Sequence, residues 1–229
     1  MLRAVLFELE GVLIDSHDLR RHALEQALAA DGVRLPPPGL DDRYDGVPTR
    51  AALSHALTVA GYRADDTAIE LAAVRAERAF IEQLGRGFSL TDGAREFLAA
   101  LSGRTRLGIV TRATRQEADT VLTAGGLDVV FELVVTADDV PTAKPSPASY
   151  MRALAIIARR SAVVPKQALA LEDGWMGVIS AREAGLRCIA VGSPPILPEA
   201  AGSGFVPSLR GQTLASLERE VMDPREQLA

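Results

Sequence analysis

The sequence predicts an α/β protein: a parallel sheet with helices on both faces, interrupted near its start by an all-helical insertion. Three observations carry this. From Leu107 onward, short apolar runs alternate with helical patterns, the order of a parallel sheet joined by crossover helices. One further apolar run, Ala4-Val5-Leu6-Phe7, stands alone at the start. Between that run and Leu107 no strand pattern appears, and residues 17–88 read as helices.

Each element follows from local pattern. Ala4–Phe7 reads as a buried strand ending at Glu8. Helical spacing predicts helices at about 17–31, 49–60 and 65–85, with the loop Pro36-Pro37-Pro38-Gly39 between the first two. A helix at 92–102 precedes a strand at 106–111 that ends in Thr111. A helix at 114–124 precedes a strand near 131–136, and a helix at 147–159 precedes the strand Ala168–Leu171. A helix at 175–184 stops at Gly185, a residue suited to a left-handed helix end, and the strand Cys188–Val191 follows. The tail after Gly192 is rich in Pro and Gly, with a short helix at 212–221. The expected division is a core of residues 1–16 and 89–229 carrying an insertion at 17–88.

Composition narrows the function. A chain of 229 residues suits one domain, or a core with an inserted subdomain, and 48% hydrophobic residues provide a sizeable core. A net charge of −5 with no Lys/Arg cluster argues against nucleic acid as a partner. Cys188 is the only cysteine, so no intrachain disulfide forms and no Cys/His cluster points to zinc. No apolar stretch approaches the roughly 18 residues of a membrane span. Met1-Leu2-Arg3-Ala4 runs straight into a strand pattern without a signal-peptide layout. The expectation is a cytoplasmic protein, monomer or homodimer, with no membrane partner. The chain holds 23 Arg but only two Lys, Lys144 and Lys166. A lysine in such a chain marks a place that needs a compact point charge; Lys166 reads as a surface residue.

Ligands of a parallel α/β sheet bind beyond the carboxyl ends of its strands. The polar groups at those ends are Glu8 and Glu10, Thr111, Lys144, and Glu172 with Asp173. Carboxylates supply the hard oxygen ligands of Mg²⁺, while a lysine and a hydroxyl neutralise and orient phosphate oxygens. The grouping therefore suits a phosphate and Mg²⁺, and backbone N–H groups after the first strand can donate to the same oxygens.

At these residues the chain resembles the haloacid dehalogenase superfamily, in its β-phosphoglucomutase-like and phosphoglycolate-phosphatase-like branch. The first motif of that family is matched by Glu8-Leu9-Glu10-Gly11-Val12-Leu13-Ile14-Asp15-Ser16 except in its two acids. Gly108-Ile109-Val110-Thr111 resembles the second, and Lys144-Pro145-Ser146-Pro147-Ala148-Ser149-Tyr150 the third. Leu171-Glu172-Asp173-Gly174, followed by Gly177, Ala181, Ala184 and Gly185, resembles the fourth. The resemblance covers nearly the whole chain. It implies a Rossmann-like core with the 17–88 insertion as a helical cap, and a small phosphorylated metabolite as ligand. It further implies that Thr111 and Lys144 hold the phosphate, and that Glu8, Glu10, Glu172 and Asp173 surround Mg²⁺. In the family the first acid is an aspartate that attacks phosphorus, and the second is an aspartate that acts as general acid and base.

Glutamates at both places change the expectation. A glutamate carries its carboxylate about 1.5 Å further out and adds a torsion. In-line attack requires reacting atoms about 3–3.5 Å apart, and a misplacement of about 1 Å can reduce rate 10²-fold. Glu8 is expected to push into the space a phosphate would take, or Lys144 to pair with Glu8 or Asp173 and hold the site shut. Three functions stay open: phosphatase-type chemistry with an impaired Glu8/Glu10 pair, a catalytically silent binder of a phospho-ligand or protein partner, and a re-purposed acid/base enzyme using both glutamates.

Other positions carry weaker signals. Arg50, in Tyr44-Asp45-Gly46-Val47-Pro48-Thr49-Arg50, is a candidate for a distal phosphate or carboxylate of the substrate, or else a solvated first-turn arginine. Arg112 either adds positive charge to the phosphate pocket or pairs with Glu8 or Glu10. His17 and His22 read as surface or hinge residues, and His55 has no assigned role. Trp175 either covers the site, packs on a neighbouring chain, or is a helix-start surface residue.

Overall fold

Parallel pairing around the first strand sets the order of the sheet. The computed structural model describes residues 1–35, 48–62, 65–192 and 204–221. Strand β1 (Ala4–Phe7) lies between β4 (Arg106–Val110) and β6 (Ala168–Glu172), parallel to both. Outside β4 lies β5 (Leu133–Val135); outside β6 lie β7 (Arg187–Val191) and β8 (Gly204–Val206). The sheet order is β5-β4-β1-β6-β7-β8. After β1 the chain builds outward on one side through β4 and β5, then returns to β6 on the other side. The order reverses at the carboxyl ends of β1, β4 and β6, and a parallel α/β sheet binds its ligands at such a point.

Alternation along β1 shows helices on both faces. Ala4 and Leu6 belong to a buried cluster with Tyr150, Ala153 and Ile157 of α6 (Ala148–Arg160) and Val178 and Ala181 of α7 (Trp175–Glu183). Phe7 points to the opposite face, where its ring meets Phe97 of α4 (Ala94–Leu101) edge-on with centroids 6.2 Å apart. The 3- and 4-residue steps from Tyr150 to Ala153 to Ile157 are one stripe of a helix, which is why α6 lies flat on the sheet. Helix α5 (Arg115–Gly125) starts at a capping box: Thr114 accepts from the Glu117 N–H, and the Glu117 carboxylate accepts from the Thr114 N–H at 2.8 Å. Helix α8 (Leu214–Val221) closes the described chain.

The chain divides into two compact units, Met1–Asp15 with Ser89–Ala229 and Ser16–Phe88. Among its described residues the second holds the helices α1 (His17–Ala29), α2 (Thr49–Val59) and α3 (Asp66–Arg86) and no strand. Leu24, Leu28, Leu53, Leu57, Ile69 and Ala72 make its core. Asp65 caps α3 by accepting from the Ala68 N–H at 2.9 Å.

Three strands escape sequence patterning. β2 (Ile14–Asp15) and β3 (Ser89–Leu90) form a two-residue antiparallel pair where the first unit's two segments break off. β8 adds a sixth strand from only three residues within the Pro/Gly-rich tail. Periodicity cannot register in two or three residues. The loop at 36–39 lies outside the described residues.

Gly108 in β4 has its missing side chain filled by neighbours: a Cβ there would stand 2.9 Å from Leu133 and Leu6 side-chain atoms. Gly108→Ala is expected to lower stability by about 1–3 kcal/mol through overpacking, whereas Gly85→Ala, facing open space in α3, raises it by about 0.5 kcal/mol. Urea unfolding monitored by circular dichroism measures both.

Candidate functional site

The ladder hydrogen bonds run past the ends of β1 and β4 and fix the site's first residues. The Glu8 N–H donates to the Leu171 carbonyl at 2.9 Å, and the Thr111 N–H to the Val135 carbonyl at 2.9 Å. Each is thereby tied to its outer neighbour strand, and the β1–β4 register, with Phe7 opposite Ile109, sets Glu8 and Thr111 side by side, both buried. The Thr111 hydroxyl donates to Glu8 Oε1 at 2.5 Å and accepts from the Ala113 N–H at 3.1 Å. The Leu9 N–H donates to the same Oε1 at 2.9 Å.

Lys144 reaches the cluster from the segment before α6. Its ammonium donates to Glu8 Oε2 at 2.6 Å, to Glu172 Oε1 at 2.5 Å and to the Val110 carbonyl at 2.8 Å. All three donors of an ammonium are used. Tyr150, two residues into α6, donates its hydroxyl to Glu172 Oε1 and lies 5.1 Å beneath the ammonium by ring centroid. Lys144, Glu8, Glu172 and Tyr150 are all at most 4% exposed.

Backbone shape makes this packing possible at two glycines. Gly177, in the first turn of α7, lies so close to Glu172 that a Cβ would stand 1.8 Å from its Oε2. Gly11, with φ +74°, turns the chain after β1; a Cβ there would stand 2.5 Å from Asp173 Oδ2. The Gly11 N–H closes this turn on the Ile14 carbonyl at 2.8 Å. Asp173 therefore sits against the turn that carries Glu10, and both are partly exposed, unlike Glu8 and Glu172.

One ammonium cannot neutralise every acid in this space. Burial pushes the Glu8 carboxyl up, but the Lys144 and Arg112 charges and the Lys144 and Thr111 hydrogen bonds more than offset it, so Glu8 is held below the usual carboxylate range. Burial also pushes Glu172 up; Lys144 opposes this, but the Glu8 and Asp173 charges add to it, and Glu172 stands at about 7. Burial would lower Lys144, and its two carboxylates outweigh that and raise it. The shortage of positive charge falls on Glu172, which holds its proton more tightly because Glu8 takes the larger share of the cationic support.

The structure gathers Glu8, Thr111, Lys144 and Glu172 into one hydrogen-bonded set, with Asp173 beside the Gly11 turn. Arg112, directly after Thr111, acts on Glu8 through its charge, while its Nη1 is sealed from solvent with no acceptor. Arg50 lies in the helical unit, at the exposed start of α2, and pairs with Glu70 of α3. An exposed pair of this kind contributes little. Tyr44, Asp45, Gly46 and Val47 lie outside the described residues. Trp175 opens α7 40% exposed, and Lys166 is exposed. Tyr150 is the site residue that pattern reading passes over. It stands within the third motif, but on the apolar stripe of α6 its ring reads as core and its hydroxyl leaves no trace.

The donor chemistry of four carboxylates suits Mg²⁺, but their arrangement does not fit one. Among the described residues no three His, Cys, Asp or Glu side chains are grouped to hold a metal ion. Glu8 and Glu172 instead give their oxygens to Lys144, Thr111, Tyr150 and the Leu9 N–H.

Comparison with known proteins identifies the family. The haloacid dehalogenase-like hydrolase family matches residues 5–191. The chain is 32% identical over 193 residues to validoxylamine A 7'-phosphate phosphatase of Streptomyces hygroscopicus subsp. limoneus, covering 83% of this chain and 86% of that protein. It is 29% identical to the protein CbbY of Rhodobacter capsulatus, covering 82% and 84%. The crystal structure of CbbY from Rhodobacter sphaeroides in complex with phosphate superposes with a TM-score of 0.80 at 25% identity, covering 95% of this chain and all of that one.

Removing a partner from a buried charge cluster strands the rest. Lys144→Ala is expected to lower stability by about 3–5 kcal/mol, and Gly177→Ala by a similar amount by forcing Glu172 from its seat. Chemical denaturation measures both. Folding also raises Glu172 from its ordinary 4.5 to about 7, so the folded state binds the extra proton and stability falls as pH rises through that window. Glu172→Gln is expected to flatten that part of the stability–pH curve, read from melting temperatures between those two pH values.

Proposed function

This chain belongs to the haloacid dehalogenase-like hydrolase family, and we propose that it binds a small phosphorylated metabolite at the ends of β1, β4 and β6, with an altered and impaired catalytic pair, Glu8 and Glu10. One observation carries this reading. The Thr111 hydroxyl, the Leu9 N–H and the Lys144 ammonium converge on two oxygens of one carboxylate. A hydroxyl, a backbone amide and a point charge aimed at neighbouring oxygens are what an oxyanion such as phosphate requires. Similarity to a validoxylamine A 7'-phosphate phosphatase and to a CbbY structure that holds phosphate supports the ligand class.

Glu8 is poorly placed to act as nucleophile while it fills this seat. A nucleophile must stand about 3–3.5 Å from phosphorus with the phosphate held by the surrounding donors. Here the carboxylate itself consumes them. Glu10, in the turn closed at Gly11, takes the acid/base position two residues on, one methylene longer than the family's aspartate. The family resemblance implies Mg²⁺, and Glu8 or Glu172 would have to leave Lys144 before either could ligate it. A second reading, a catalytically silent phospho-ligand binder, draws on the same observation, since a carboxylate held by three donors is not poised to attack.

A screen of phosphomonoesters with and without Mg²⁺ is expected to show weak or absent turnover by the unmodified chain. Glu8→Asp combined with Glu10→Asp is expected to raise the rate by about 10²-fold, the scale associated with a misplacement of about 1 Å. A robust metal-dependent rate from the unmodified chain, or no gain in a folded double variant, contradicts the impaired-pair reading. No turnover together with a melting shift on adding phosphate favours the silent binder.

A further inference from the structure

Arg112 follows Thr111 at the end of β4, beside the cluster but outside its hydrogen bonds. Its Nη1 is buried and meets no acceptor. A buried donor left unmade is unfavourable, and a charged one more so. Such a group calls for an explanation, and a second state of the molecule that satisfies it is one. The neighbouring Glu8 carboxylate already has three donors: the Thr111 hydroxyl, the Leu9 N–H and Lys144. Arg112 nonetheless attracts it, second only to Lys144 among the charges acting on Glu8. A glutamate has one more torsion than an aspartate and so can offer its carboxylate to a second partner from the same backbone position.

We propose that Arg112 is a second seat for the Glu8 carboxylate: an oxyanion takes over the Thr111 hydroxyl, the Leu9 N–H and Lys144, and Glu8 turns to pair with the Arg112 guanidinium. This rests on the phosphate-binding reading above and adds the route by which phosphate enters a filled site. Glu8 stays ionised and paired in both states, so the anion displaces a carboxylate without stranding a charge in the interior. The bond exchange satisfies Arg112 Nη1 only when ligand is bound. Arg112 acts through Glu8 and is a positioning residue. The long glutamate then serves as an internal competitor with phosphate, and Arg112 sets how readily it yields.

Isothermal titration calorimetry with inorganic phosphate, in Mg²⁺ and again in EDTA, tests this on four proteins: unmodified, Glu8→Ala, Arg112→Gln and the double variant. Glu8→Ala is expected to tighten phosphate binding about tenfold, and Arg112→Gln to weaken it about tenfold when Glu8 is present, each the scale of one charge-assisted contact. In the Glu8→Ala background, Arg112→Gln is expected to change the Kd less than about twofold, because the two residues form one coupled pair. Arg112→Lys, which keeps a cation for Glu8, retains most of the affinity and serves as the variant of choice where Arg112→Gln melts below assay temperature. An equal loss in both backgrounds shows that Arg112 touches the anion directly and overturns the proposal. No loss in either background also overturns it. These results leave phosphate binding intact, whereas absence of binding in all four proteins overturns the ligand reading and the second seat together.

Discussion

The ammonium of Lys144 is shared between two buried carboxylates, and the ends of three strands are arranged around that sharing. Glu8 directly follows β1, Glu172 ends β6, and the Val110 carbonyl ends β4. These three strands lie next to one another where the sheet order reverses. One point charge thus ties together the place where the topology leaves a crevice. The glycines at 11 and 177 let acids approach the backbone closely, and Tyr150 closes the set from the helix side. A lysine suits the place because its three donors can turn to three separate acceptors, whereas the flat fork of an arginine cannot.

The same interaction explains the uneven protonation of the two acids. Glu8 accepts from Lys144, Thr111 and the Leu9 N–H and stays ionised. Glu172 shares the ammonium and accepts from the Tyr150 hydroxyl, while facing the negative charges of Glu8 and Asp173. A buried cluster with more acids than bases keeps a proton on the acid with the weaker support. A phosphate entering such a cluster meets carboxylate charge first. Binding therefore depends on moving Glu8 as well as on supplying cations.

Much of the frame was legible in the sequence because its signals are long. The apolar run Ala4–Phe7 and the alternation after Leu107 specify a parallel sheet, and four polar strand ends converge once that sheet is drawn. Thr111, Lys144 and Glu172 needed only their positions after strands to be placed together. The rest lies below the reach of pattern. β2 and β3 have two residues each, too few for a period. β8 hides in a segment whose Pro and Gly content reads as tail. Tyr150 belongs to an apolar helical stripe, and only packing shows that its hydroxyl meets Glu172. For Glu8, the sequence states the extra methylene but leaves its torsion open; the structure turns that torsion toward the Thr111 hydroxyl, the Leu9 N–H and the Lys144 ammonium.

The central claim is that Glu8 occupies an oxyanion seat of its own protein. A high-resolution crystal structure of the protein grown without phosphate or other oxyanions tests it most directly. The account predicts the Glu8 carboxylate within hydrogen-bond distance of the Thr111 hydroxyl, the Leu9 N–H and the Lys144 ammonium together. A Glu8 side chain turned away, with ordered water bridging those three donors, would contradict it.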